Sequence, residues 1–121
     1  MKNHKNSMPY HEWEIRTLQR DKALAIEVLK IALESLSNPE ERGGALLSFR
    51  AVAEAYGGLG AVAASAGISR ESLYRALSPK GNPTLKTLLA VVNAVGLRLS
   101  ITEAPQAKSK RKKPAERSKA A

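Results

Sequence analysis

Cysteine is absent from all 121 residues, which excludes disulfides and thiolate metal sites and is compatible with a reducing compartment. Aromatic side chains are scarce, with one Trp, one Phe and three Tyr, so the core is expected to be aliphatic and alanine-rich, a composition that favours helices. Histidine is confined to His4 and His11 near the start, and no carboxylate cluster has metal-ligand spacing. An enzyme is therefore not expected, nor a metal or other cofactor. No apolar run approaches the ~18–20 residues of a membrane span, and no signal peptide opens the chain. The expected location is the cytoplasm. The length suits one small domain and is too short for two independent cores.

Positive charge, by contrast, is abundant: +9 formally. From Ala104 onward Lys108, Lys110, Arg111, Lys112, Lys113, Arg117 and Lys119 stand against Glu116 alone. Seven cations against one anion give +6, which leaves +3 for residues 1–103. The terminal segment has no Leu, Ile, Val or aromatic residue. It cannot bury enough apolar surface to offset its ordering entropy, so 104–121 is predicted to be a disordered basic tail. Such a tail either contacts nucleic acid or is a solvated end.

Helical periodicity accounts for most of the remainder. Residues 1–20 read as a leader with a short helix. Within it, Trp13, Ile15 and Thr17 alternate as in a strand, while Tyr10, Trp13, Thr17 and Leu18 fit a helical face, which we favour. Asp21 is placed to cap a helix from Lys22 to about Leu36, with Leu24, Val28, Ile31 and Leu36 at helical spacing. Asn38 and Pro39 suit the cap and first position of the next helix, and Glu40 and Glu41 complement its positive N-terminus. That helix runs to about Tyr56 with Leu46, Phe49, Val52, Ala53 and Tyr56 facing inward. Gly43-Gly44 would then cost about 1 kcal/mol each relative to alanine, unless a close helix contact compensates or the helix begins later. Gly57-Gly58 end it. Two short helices, 59–66 and 70–77, precede the loop "SPKGNP". Thr84 caps a last helix, 85–95, with Leu85, Leu88, Leu89, Val92 and Val95 inward and Gly96 as its stop. Leu97, Leu99 and Ile101 then alternate with polar residues, which predicts a short strand over 97–102. Its partner would be the N-terminal segment or a second copy of the chain.

The chemistry-bearing candidate is "GGLGAVAASAGISRESLYRALS". A phosphate-cradling loop is a poor reading of its glycines: no strand precedes them, and no Lys-Ser or Lys-Thr pair follows. A helix-turn-helix is the better one. Ala63 is small where two helices approach, and Gly67 sits where a positive φ is needed. Val62, Ala66, Ile68, Leu73 and Ala76 fall on inward positions. Ser69 can cap the second helix, which in this motif enters the major groove.

The outward residues are then the base-reading candidates: Ser69, Arg70, Glu71, Ser72, Tyr74 and Arg75. Arg70 and Arg75 can donate paired hydrogen bonds to guanine, and Glu71 can accept from a cytosine amino group. Glu71 equally suits stabilisation of the first helical turn. Tyr74 suits a thymine methyl, a phosphate, or packing against the loop. Lys80, the Gly81 amide, Asn82, the Thr84 hydroxyl and Lys86 suit phosphate anchoring.

At these residues a resemblance becomes specific. "GISRESLYRALS", "GNPTLKTLL" and "GLRLSI" are similar to the antitoxin family of probable addiction-module antidote proteins, HigA-like relatives of the phage-repressor (Xre/Cro) helix-turn-helix group. "HEWEIRTLQRDKALAIEVLKIALES" resembles the family's N-terminal region, so the likeness spans about residues 10–103. The polar, glycine-rich "EERGG" and the basic tail depart from the pattern, and toxin contacts are not carried over. The resemblance implies a cytoplasmic protein that binds a RelE/HigB-like, mRNA-cleaving toxin and represses the shared promoter as a homodimer.

The expectation is therefore an all-α, five-helix phage-repressor-like domain over 21–103, preceded by the leader and followed by the tail. Its partners would be double-stranded operator DNA and a toxin, with no membrane contact. Dimerisation through the last helix and the 97–102 strand would set two reading helices about one helical turn apart on a palindrome. The alternatives are an orphan phage-type regulator without a toxin, and a toxin-binding module that does not bind DNA.

Overall fold

A computed structural model describes residues 9–105; the leader 1–8 and most of the basic tail lie outside the described residues. Those described form six helices: α1 (Tyr10–Arg20), α2 (Lys22–Ser35), α3 (Arg42–Ala55), α4 (Gly58–Ala66), α5 (Arg70–Ala76) and α6 (Leu85–Ala94). No strand occurs among them. Helix α3 is central. On one side it packs against α1 and α2, and on the other against α4 and α6, while α5 packs on α4. Leu46, Phe49 and Val52 of α3 are fully enclosed, together with Leu73, Leu77 and Val91 from the second half. Burying side chains of this size stabilises the fold by about 1.5–3 kcal/mol each. Alanines at 25, 32, 45, 53, 63 and 66 are also buried, which lets helix axes approach closely with little side-chain entropy to lose.

Residues 10–20 are helical, as favoured over the strand. Their inward side chains, however, are Ile15 and Leu18; Tyr10 and Trp13 remain exposed with ring centroids 5.7 Å apart. The phenol of Tyr56 donates to Leu18 O at 2.7 Å and fastens the end of α1 to the end of α3. Asp21 caps α2, its Oδ1 accepting from Leu24 N at 3.0 Å.

Three expectations need correction. The inward stripe of α2 is Ala25, Leu29 and Ala32, with Val28, Leu33 and Leu36 partly buried, whereas Leu24 and Ile31 point outward. Apolar residues occur all round this helix, so its pattern underdetermines the face, and the alanine side permits the closer approach to α3. Secondly, Asn38 does not open α3. Its Oδ1 accepts from Glu40 N and its carbonyl from Glu41 N and Arg42 N, making a turn over 38–41. Gly43 and Gly44 therefore fall in the first helical turn, where Gly43 lies against Pro79; a Cβ there would be 3.3 Å from the proline Cβ. The later start considered for this helix thus holds, and the close contact is made by Gly43 alone, with a loop proline rather than a helix. Thirdly, Leu85, expected inward on α6, is 64% exposed. It occupies the first turn of that helix, ahead of the buried residues Ala90, Val91 and Val92. The strand expected over 97–102 is not formed among the described residues; of its two candidate partners the N-terminal segment is the helix α1, which leaves a second copy of the chain. Leu97 packs on the core, whereas Leu99 is exposed and Ile101 is 97% exposed.

Candidate nucleic-acid interface

The turn between α4 and α5 is built by Gly67, at φ 75° and ψ 28°. Its N–H donates to Ala64 O at 3.1 Å and that of Ile68 to Ala63 O at 3.0 Å. This pairing satisfies two of the last carbonyls of α4 and turns the chain sharply. Any side chain here would be strained by the positive φ, and its Cβ would lie 3.3 Å from Lys86 Nζ. Lys86 accordingly reaches from α6 over the turn.

Ser69 opens α5. Its Oγ accepts from Ser72 N at 3.0 Å, and its hydroxyl donates to Ser72 Oγ at 3.0 Å. Ser69 and Ser72, both placed in the base-reading set by sequence, are thus engaged with each other in the cap. Val62, Ala63, Ala66 and Leu73 are buried, Ile68 and Ala76 partly so, and Gly67 is exposed at the turn. Leu59 and Leu77 join this core although the inward set expected from sequence omitted them.

With α5 fixed in this way, Arg70, Glu71, Tyr74 and Arg75 face solvent. They line one open cleft of about 540 Å³ with Leu59, Glu54 and His11. His11 Nε2 lies 2.8 Å from Glu54 Oε1, so α1 forms a wall of the cleft, a contribution its distance in sequence concealed. Among the described residues, Arg70, Glu71 and Arg75 have no oppositely charged group within ion-pair distance. The Tyr74 ring lies under the Arg50 guanidinium, 4.3 Å from Cζ to centroid. Of the readings open for Tyr74, the structure therefore adds one from α3: Arg50 holds one side of the ring while 51% of the residue remains exposed.

The expected phosphate-anchoring residues divide into two groups. Lys80 and Lys86 are exposed and, among the described residues, free of carboxylate partners. The Gly81 amide instead donates to Ser78 O at 2.8 Å, and the Thr84 hydroxyl oxygen accepts from Thr87 N at 3.2 Å as the cap of α6. Both groups are engaged in holding the loop in shape. Arg42 Nη2 donates to Gly81 O at 3.2 Å and to Asn82 Oδ1 at 3.0 Å, and Asn82 itself is exposed. Neither Arg42 nor Arg50 was singled out from sequence. Both belong to α3, and no local pattern ties them to a motif thirty residues away.

A family model described as "Probable addiction module antidote protein" matches residues 13–103, from the first turn of α1 to the end of the 97–103 segment. The chain belongs to that family. The chain is also 48% identical, over 42 residues, to an uncharacterized protein of Haemophilus influenzae. The aligned stretch covers 35% of this chain and 43% of that relative, less than half the length of either. No solved structure gives a significant match to it.

Proposed function

We propose that this antidote binds operator DNA as a homodimer, represses its own promoter, and neutralises a RelE/HigB-like ribonuclease toxin by direct binding in the cytoplasm. Its affinity with the HigA-like, phage-repressor group belongs to the same reading. The observation that carries the DNA part is the set of unpaired, outward Arg70, Glu71 and Arg75 on a helix whose start is fixed by Gly67 and Ser69. Arginine presents a fork that matches guanine O6 and N7, and a carboxylate can accept from cytosine N4. Lys80 and Lys86 flank that set and suit phosphates, which position a protein without reading sequence. Residues 69–86 carry four cations against Glu71, a net of +3. The unpaired 97–102 segment, with Leu99 and Ile101 exposed, suits pairing with the same segment of a second copy. Toxin neutralisation rests on the family.

The test is a titration of DNA from upstream of the antidote's own gene at several salt concentrations. Arg70→Ala is expected to lose about 1–3 kcal/mol of operator affinity and to relax preference at one base pair. Lys80→Ala is expected to weaken binding to every sequence and lower the salt slope by about one unit. Wild-type protein that binds upstream DNA no better than random DNA would sink the repressor reading and leave a toxin-binding module.

A further inference from the structure

Away from the reading helix, α2 packs only against α1 and α3 among the helices it meets broadly, and its outer side is unpartnered. Between α2 and the start of α3 runs an open groove of about 510 Å³. Its lining is small: Ala32, Ser35, Gly44, Ala45 and Ser48, with Ile31 at the edge, 59% exposed. Gly44 leaves the groove open, since a Cβ there would meet no atom within 4 Å. One large apolar side chain beside a floor of small residues forms a receptacle into which another molecule's side chain can insert.

The sequence that flanks this groove is acidic, and Glu41 belongs to its lining. Residues 22–41 carry Lys22 and Lys30 against Glu27, Glu34, Glu40 and Glu41, a net of −2, in a chain of +9. Lys30 is paired with Glu27 at 3.5 Å. Glu34, Glu40 and Glu41 have no ion-pair partner among the described residues. Arg42, next to Glu41 in sequence, is engaged by Leu36 O, Gly81 O and Asn82 Oδ1 rather than by a carboxylate. Potentials of several kT over such patches steer encounters and select partners of complementary sign. A polyanion is repelled here and attracted at 69–86, so the two faces sort their ligands.

We infer that the α2–α3 groove is the toxin-docking surface, and that it takes a cationic patch of the toxin with one apolar side chain inserted over Gly44 beside Ile31. This rests on the antidote reading above and names the face that performs it. The site is separate from Arg70 and Arg75, so one antidote can hold operator and toxin together. An RNA-cleaving partner must present cations to a polyanionic substrate, and an acidic rim is suited to cover them.

The experiment uses the full-length antidote with the product of the adjacent toxin gene, by calorimetry and by the upstream-DNA titration in parallel. Gly44→Leu fills the groove, Ile31→Asp removes its apolar edge, and Glu41→Lys reverses the charge of the carboxylate in its lining. Far-ultraviolet circular dichroism checks folding of each; if Gly44→Leu fails to fold, the two surface variants carry the test. Each variant is expected to weaken toxin binding by about tenfold or more with operator affinity unchanged. Wild-type binding of toxin that all folded variants retain would overturn the groove while leaving the antidote reading intact. A wild-type antidote that does not bind the toxin would overturn both. Variants that change only the antidote's own oligomeric state would make the groove a contact between copies and overturn it as well.

Discussion

A methyl group added at Gly81 would overlap the Ala76 carbonyl oxygen and lie 2.5 Å from that of Arg75, both backbone atoms at the end of α5. The same methyl at Gly44 would enter open space on a helix. One substitution is therefore expected to act with opposite signs. Gly81→Ala should destabilise by about 1–3 kcal/mol, the range for overpacking against a structure that must shift. Gly44→Ala should stabilise by up to about 1 kcal/mol through helix propensity. Urea denaturation checks both, and equal midpoints for the two variants would refute the steric account. The contrast was invisible in sequence, where "KGNP" read as a loop and "RGGA" as a costly glycine pair inside a helix. Residue identity shows that a glycine is present; only the neighbouring backbone shows whether anything else would fit. The same holds for Arg50, whose position over Tyr74 depends on the packing of α3 against the helix-turn-helix.

At the level of the element, local chemistry was legible and facing was not. Asp21, Ser69 and Thr84 cap α2, α5 and α6 as their types predict, because a cap is decided within four residues of chain. The Gly67 turn is readable for the same reason. The orientation of α2 escaped because apolar residues surround it, so its contact with α3 selects the face. The start of α3 escaped because the Asn38 side chain has two local uses and the turn took precedence. Helix α5 is the element most dependent on its cap: it has only seven residues, and isolated helices so short are unstable in water. Ser69→Ala removes the bond to Ser72 N and is expected to cost about 1 kcal/mol of stability. Operator affinity should fall with it, and amide exchange should accelerate at the first residues of α5. Unchanged exchange there would show that packing of Leu73 alone holds the helix.

For the whole molecule, the decisive feature is what a single copy leaves uncovered. Leu99 and Ile101 extend from the end of α6 with no strand beside them in the described residues. In the proposed dimer that deficit is met by the partner copy. Ile101→Asp is expected to shift the antidote to monomer in sedimentation equilibrium, and to weaken binding to a two-half-site operator far more than to a single half-site. A dimer that survives this change would place the contact elsewhere. Alternation of apolar residues predicts a strand over 97–102, but pairing is a property of two segments, and within one copy the N-terminal candidate is a helix. No helix of the described residues is long and apolar enough to cross a membrane, in keeping with the hydropathy of the sequence.

Arg42 touches two parts of the chain beyond α3: its guanidinium donates to Leu36 O at 3.5 Å, and to Gly81 O at 3.2 Å and Asn82 Oδ1 at 3.0 Å. The end of α2 and the loop bearing Lys80 are thus tethered to one planar, rigid cation. A ligand that pulls the α2–α3 corner out of line must stretch bonds that also register the lysine loop. Thermodynamic linkage makes such a tether symmetrical: the factor by which either ligand alters affinity for the other is the same in both directions.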